Sequence, residues 1–140
     1  MPSVLRSKSY GSVQITWIDE EALWDYLHRL MERYRSRPEV RAVVLFGSLV
    51  SGEFAVGSDV DLLLVLDESP QPFPDRIPKY LPEDAPIDVQ VFPYTVEEIR
   101  RGQPLALEAL RTGKVLWADT DLETLLNAKS SPTPSETRSP

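Results

Sequence analysis

Two aspartates, Asp59 and Asp61, stand one residue apart in the run Gly-Ser-Asp-Val-Asp-Leu-Leu-Leu-Val. On an extended strand, side chains alternate with period two, so both carboxylates face one way. Carboxylates held side by side repel unless a cation lies between them. Such hard oxygen ligands suit magnesium, which also takes oxygens from a substrate phosphate. Ten residues separate Asp59 from Gly47-Ser48, which closes the apolar run Val-Val-Leu-Phe. A tight turn there offers free backbone N–H groups, a common way to hold a phosphate. The combination points to a site for a metal–nucleoside triphosphate.

A third carboxylate, Asp88, lies in Ile-Asp-Val-Gln-Val-Phe, where apolar and polar residues alternate. If its strand neighbours that of Asp59 and Asp61, all three gather around one metal site. Shared carboxylates holding two magnesium ions can bind a triphosphate, activate an attacking hydroxyl and stabilise leaving pyrophosphate. The carboxylate on the separate strand is then the candidate to help deprotonate the nucleophile.

The elements that position these residues follow from periodicity. Residues 1–10 read as a flexible lead, and Ser12–Trp17 alternates enough for a short strand, read as an edge that could support a dimer. Asp19 reads as the N-cap of an amphipathic helix over 20–36, carrying Ala22, Leu23, Tyr26, Leu27, Leu30, Met31 and Tyr34 at helical spacing and ended by Pro38. Val40–Phe46 and Val60–Leu66 are nearly continuous apolar runs, expected as central strands covered on both faces. Leu49–Phe54 reads as a short helix or turn. Residues 68–86 carry six prolines and read as a connection to the strand Ile87–Phe92. Thr95 caps a short helix, Pro104–Thr112 forms another stopped by Gly113, Lys114–Trp117 is a brief strand, and Leu122–Asn127 is a last helical turn. The class is α/β (α+β): one small domain over 11–128 with a mixed central sheet flanked by helices. Residues 129–140, rich in Ser, Pro and Thr, read as a disordered tail.

With Gly47-Ser48, Asp59-Val60-Asp61 and Asp88 in place, roughly residues 20–120 resemble the DNA polymerase beta-type nucleotidyltransferase superfamily, most closely its minimal nucleotidyltransferases. The resemblance implies the palm fold of that superfamily. It implies that Gly47 and Ser48 hold nucleotide phosphates, that Asp59, Asp61 and Asp88 ligate one or two Mg2+ ions, and that Asp88 can also serve as base. ATP or another nucleoside triphosphate would be the substrate. Minimal members usually pair with a helical HEPN partner protein, some pairs acting as toxin and antitoxin with adenylate transferred to a partner side chain. One departure is visible. Minimal members commonly carry Arg-x-Arg-Gly or a similar basic stretch after Gly-Ser, whereas Leu49-Val50-Ser51-Gly52 stands here. Arg76, Lys79, Arg100, Arg101, Arg111 and Lys114 are the candidates to supply that charge from elsewhere.

Composition narrows the field. The 140 residues suit about one domain. A net charge of −7 opposes a nucleic-acid backbone as main partner, because such binding rests on Lys and Arg. The absence of cysteine removes disulfides, thiolate catalysis and cysteine-based zinc sites, and fits a reducing cytoplasm. No apolar run reaches the length of a membrane span. The single histidine, His28, lies mid-helix and reads as a surface residue, which argues against Ser-His or His-rich metal chemistry. Trp17, Trp24 and Trp117 read as packing residues, Arg100-Arg101 as a solvated helix face, and Asp19-Glu20-Glu21 as a helix start.

The leading expectation is a Mg-dependent nucleotidyltransferase that moves a nucleoside monophosphate, AMP from ATP in the first instance, to a hydroxyl of a protein or small molecule. The alternative is a catalytically weak nucleotide-binding module that binds and neutralises a helical partner. A third reading, an RNA-end enzyme, predicts binding that weakens steeply with salt.

Overall fold

The computed structural model describes residues 4–127; the expected tail at 129–140 lies outside them. Strand β1 (Leu5–Tyr10) and strand β2 (Val13–Ile18) form a two-stranded antiparallel hairpin. Helix α1 (Glu20–Arg35) follows, then β3 (Val40–Phe46), the single-turn helix α2 (Ser48–Ser51), β4 (Val60–Leu66), α3 (Phe73–Tyr80) and β5 (Val89–Thr95). The chain continues with α4 (Val96–Arg100), α5 (Pro104–Thr112), β6 (Lys114–Ala118) and α6 (Leu122–Asn127). The main sheet has the order β5-β4-β3-β6. β3 runs antiparallel to both β4 and β6, and β4 runs parallel to β5, so the sheet is mixed as expected.

The two strands read as central are central, and period-two alternation divides their side chains between two cores. Val43, Leu45, Leu62 and Leu64 pack with Leu23, Tyr26, Leu27, Leu30 and Tyr34 of α1. Ala42, Val44, Leu63 and Val65 pack with Val96, Ile99, Ala106, Ala109 and Leu125 from α4, α5 and α6. Asp19 caps α1 as expected, its carboxylate accepting from the Ala22 N–H at 3.1 Å. Glu20 and Glu21 at the start and Arg33 and Arg35 at the end suit the helix dipole. A capping box between Thr95 and Glu98 starts α4. Gly113 packs so closely between α5 and β3 that a Cβ there would meet the carbonyl oxygens of Ala109 and Leu45.

Several expectations need correction. Residues 5–10, read as part of a flexible lead, are strand β1, tied down because Val4 is buried in the α1-side core and its carbonyl accepts from the Asp19 N–H at 2.7 Å. The connection 68–86 contains α3, which the prolines conceal: Pro74 sits in the first turn, where a missing N–H does no harm, and Pro78 is carried inside the helix. This helix lies within the crossover that a parallel β4–β5 pair requires. β5 starts two residues later than expected and runs on through Pro93, a residue that a sheet accepts on an edge strand. Trp17 is exposed on the hairpin, while Trp24 and Trp117 do pack against the core. Arg100 is half-buried and its Nε donates to the Leu126 carbonyl at 2.7 Å, because α6 lies against α4.

Arg76 is the one charged side chain buried among the described residues. Its guanidinium forms a bidentate pair with Glu98 at 2.8 and 2.9 Å and also donates to the Gln71 and Pro93 carbonyls at 2.8 and 3.0 Å. It thereby ties α3, β5 and α4 together. Among the described residues, no helix is long and apolar enough to cross a membrane.

Candidate active site

The candidate residues meet where the C-terminal end of β3 faces the N-terminal ends of β4 and β5. Phe46 is the register partner of Asp61, so Gly47 lies just beyond the last paired residue of β3. Its φ of 85° lies in a region that L side chains rarely adopt. The Asp61 carboxylate fills the space beside it, and a Cβ on residue 47 would collide with Asp61 Oδ2. Glycine is therefore needed twice, for the turn and for the carboxylate. Beyond it, Ser48 opens the one-turn helix α2, whose first N–H groups have no intrahelical acceptor.

Asp61 lies within β4, while Asp59 precedes the first strand residue, Val60. Both are half-buried. Burial first, and the charge of Asp59 second, push the Asp61 carboxyl above the usual carboxylate range. Desolvation and a neighbouring like charge both disfavour the ionised form.

The parallel register decides what β5 contributes. Val60 pairs with Val89 and Asp61 with Gln90, and the Val60 N–H donates to the Asp88 carbonyl at 2.9 Å. Gln90 thus stands beside Asp61, and its Nε2 donates to Asp59 Oδ2 at 2.6 Å. Asp88 is exposed and sits one residue ahead of β5. It shares with Asp59 and Gln90 the wall of a polar cleft of about 390 Å³ that Pro82, Glu83 and Ile87 also line. Asp59 and Asp61 are brought together and Asp59 and Asp88 share a wall. Among the described residues, however, no three His, Cys, Asp or Glu side chains form a group that could by itself hold a metal ion.

The donor chemistry still fits magnesium. That ion is commonly held by one or two carboxylates, with waters and substrate phosphates completing its octahedron. Asp59 and Asp61 supply such a pair, and the raised pKa of Asp61 marks the negative charge that a cation would relieve.

Each candidate cation for the missing basic stretch has a partner elsewhere. Arg76 is committed to Glu98. Arg101 and Arg111 pair with Glu97 and Glu108 on their own helices, and Arg100 reaches α6. Lys79 lies 3.9 Å from Glu39, and Lys114 sits over the Trp24 ring. His28 is exposed, as expected. Sequence reasoning missed Gln90. The alternation of Asp88 and Gln90 on one side of a strand was visible, but the inter-strand register that chooses between them was not.

Comparison with known proteins identifies the domain that contains these residues. A nucleotidyltransferase domain model matches residues 27–111, a span that includes Gly47, Ser48, Asp59, Asp61 and Asp88. A candidate protein adenylyltransferase of Methanocaldococcus jannaschii is 35% identical over 49 residues, which cover 35% of this chain. The match spans 47% of that relative's length, about half of it. The crystal structure of a candidate nucleotidyltransferase from Sulfolobus solfataricus superposes with a TM-score of 0.52 at 18% identity, covering 71% of this chain and 84% of that one, which shows a shared fold. With more than half of its residues matched, the chain belongs to the nucleotidyltransferase domain family.

Proposed function

We propose that the protein is a Mg-dependent nucleotidyltransferase that transfers AMP from ATP to a hydroxyl of a protein or small-molecule acceptor. The observation that carries this reading is the Asp61 carboxylate packed against Gly47, with the charge of Asp59 beside it, within the matched domain. The acceptor oxygen attacks the α-phosphorus, a new P–O bond forms, and the α–β bridging P–O bond breaks. Pyrophosphate carries away the bond electrons. Asp88, on the open side of the cleft, accepts the hydroxyl proton. Asp59 and Asp61 would hold the metal, which supplies charge neutralisation at the phosphates when bound. The backbone at Gly47-Ser48 grips the phosphates. A protein acceptor agrees with the name of the archaeal relative, and a helical HEPN-type partner in a toxin–antitoxin pair is the form we favour for it.

The test is incubation of the purified chain with Mg2+, α-labelled ATP and a lysate of its host, beside an Asp59→Asn/Asp61→Asn control. Label on a macromolecule only with the unmodified chain supports the reading. If no label exceeds the control while the acceptor is present, the reading fails.

One observation favours a second reading. Each of the six candidate cations has a partner away from Gly47-Ser48. A weakly catalytic nucleotide-binding module that neutralises a helical partner would need no such charge. It predicts that the doubly substituted chain keeps its cellular function.

A further inference from the structure

We propose that Gln90 is a positioning residue for the metal-binding carboxylates, an inference that rests on the nucleotidyltransferase reading above. Three observations converge on it. First, the parallel β4–β5 register sets Gln90, rather than Asp88, directly beside Asp61. Second, its amide Nε2 donates to Asp59 Oδ2 at 2.6 Å, across 31 positions of sequence. Third, Gln90 alternates with the buried residues Val89 and Val91, so its side chain is free of the core and has no packing role to fill. It lines the same cleft as Asp59 and Asp88.

The chemistry of an amide explains what this contact does. Asp59 lies at the strand entrance, outside the β4 ladder that fixes Asp61. Without a partner its side chain would turn freely and be pushed outward by the Asp61 charge. A hydrogen bond to Oδ2 fixes the rotamer and leaves Oδ1 for a cation. A lysine or arginine at position 90 would fix it equally well but cancel part of the charge that attracts the cation. The neutral donor orients the ligand and leaves its charge intact, the usual task of residues that hydrogen-bond to metal-binding side chains.

The test titrates Mn2+ into the full chain, followed by electron paramagnetic resonance of the free ion, with thermal denaturation alongside. Gln90→Leu is expected to weaken Mn2+ binding about tenfold with the melting temperature unchanged. Gln90→Lys, which keeps a donor and adds a positive charge, is expected to weaken it further. Any loss of transfer rate in Gln90→Leu is expected to be recovered at saturating Mn2+, whereas the loss in Asp59→Asn is not. Gln90→Leu binding Mn2+ within twofold of the unmodified chain, while Asp59→Asn has lost it, would overturn the role of Gln90 and leave the carboxylate reading standing. Equal Mn2+ binding by the unmodified chain and Asp59→Asn would overturn both.

Discussion

The Asp61 carboxylate occupies the place that a Cβ on Gly47 would take, so the two residues constrain each other. Gly47→Ala adds a Cβ that collides with Asp61 Oδ2 and forces alanine to φ 85°. The substitution is expected to destabilise the fold by about 1–3 kcal/mol. It should also displace Asp61 and abolish most transfer activity. Urea unfolding and a transfer assay on the same preparation check both.

Asp61→Asn separates function from stability. Burial and the Asp59 charge raise the Asp61 pKa in the folded state above the ordinary aspartate value of 3.8. The folded chain therefore binds more protons than the unfolded chain as pH rises through 3.8 toward the raised value, and stability falls across that window. Above the window the full cost is present. Asparagine carries no charge, so the variant is expected to melt higher than the unmodified chain at pH 7 and to lose that advantage in acid. Transfer should drop about a hundredfold or more, because the variant loses one of the two carboxylates proposed to hold the metal. A melting temperature below that of the unmodified chain at pH 7 would contradict this account.

Glu98 behaves in the opposite sense. Its hydrogen bonds from Arg76, and secondarily from the Thr95 backbone, hold its carboxyl below the ordinary glutamate value of 4.5. The stability it supplies is present above 4.5 and is lost as pH falls through the lower folded value. Glu98→Leu would leave the buried Arg76 guanidinium with only two carbonyl partners and break the α4 capping box. Because the Glu98 side chain is 34% exposed, the loss is expected near the lower end for such pairs, about 2–3 kcal/mol. Arg76→Met/Glu98→Leu should recover part of it, which a double-mutant cycle measures.

The hairpin offers a contrast. Ile15 and Trp17 are 50% and 45% exposed, so Ile15→Ser and Trp17→Ser are each expected to change stability by about 0.5 kcal/mol or less. Val4 at its base is fully buried, and Val4→Ala is expected to cost about 1–2 kcal/mol. Chemical denaturation of the three variants distinguishes the anchored base from the projecting strands.

Much of this molecule was legible in its sequence because the signals were local. Asp19 before Glu20-Glu21, the stripe from Leu23 to Tyr34, Thr95 before Glu98, and Pro104 to Gly113 each declare a helix through neighbours within a few residues. The two apolar runs declared the central strands. Local rules failed where a distant partner decides. Prolines 72, 74 and 78 hide α3, which forms because Arg76 and Tyr80 find partners in α4, β5 and β3's approach. The site shows the same division. Gly47, Ser48, Asp59 and Asp61 belong to a motif that can be read in order, but the pairing of Gln90 with Asp61 depends on how two strands slide together.

The two borders of the main sheet differ in what they permit. On the β5 side, Pro93 has no N–H to offer and its carbonyl is already taken by Arg76. A further strand could not complete its ladder there. On the β6 side, Lys114–Ala118 contains no proline, and Val115 is 48% exposed. The sheet is thus polarised. Among the described residues, the main sheet can take an added extended strand along β6, away from the border where the carboxylate cleft begins.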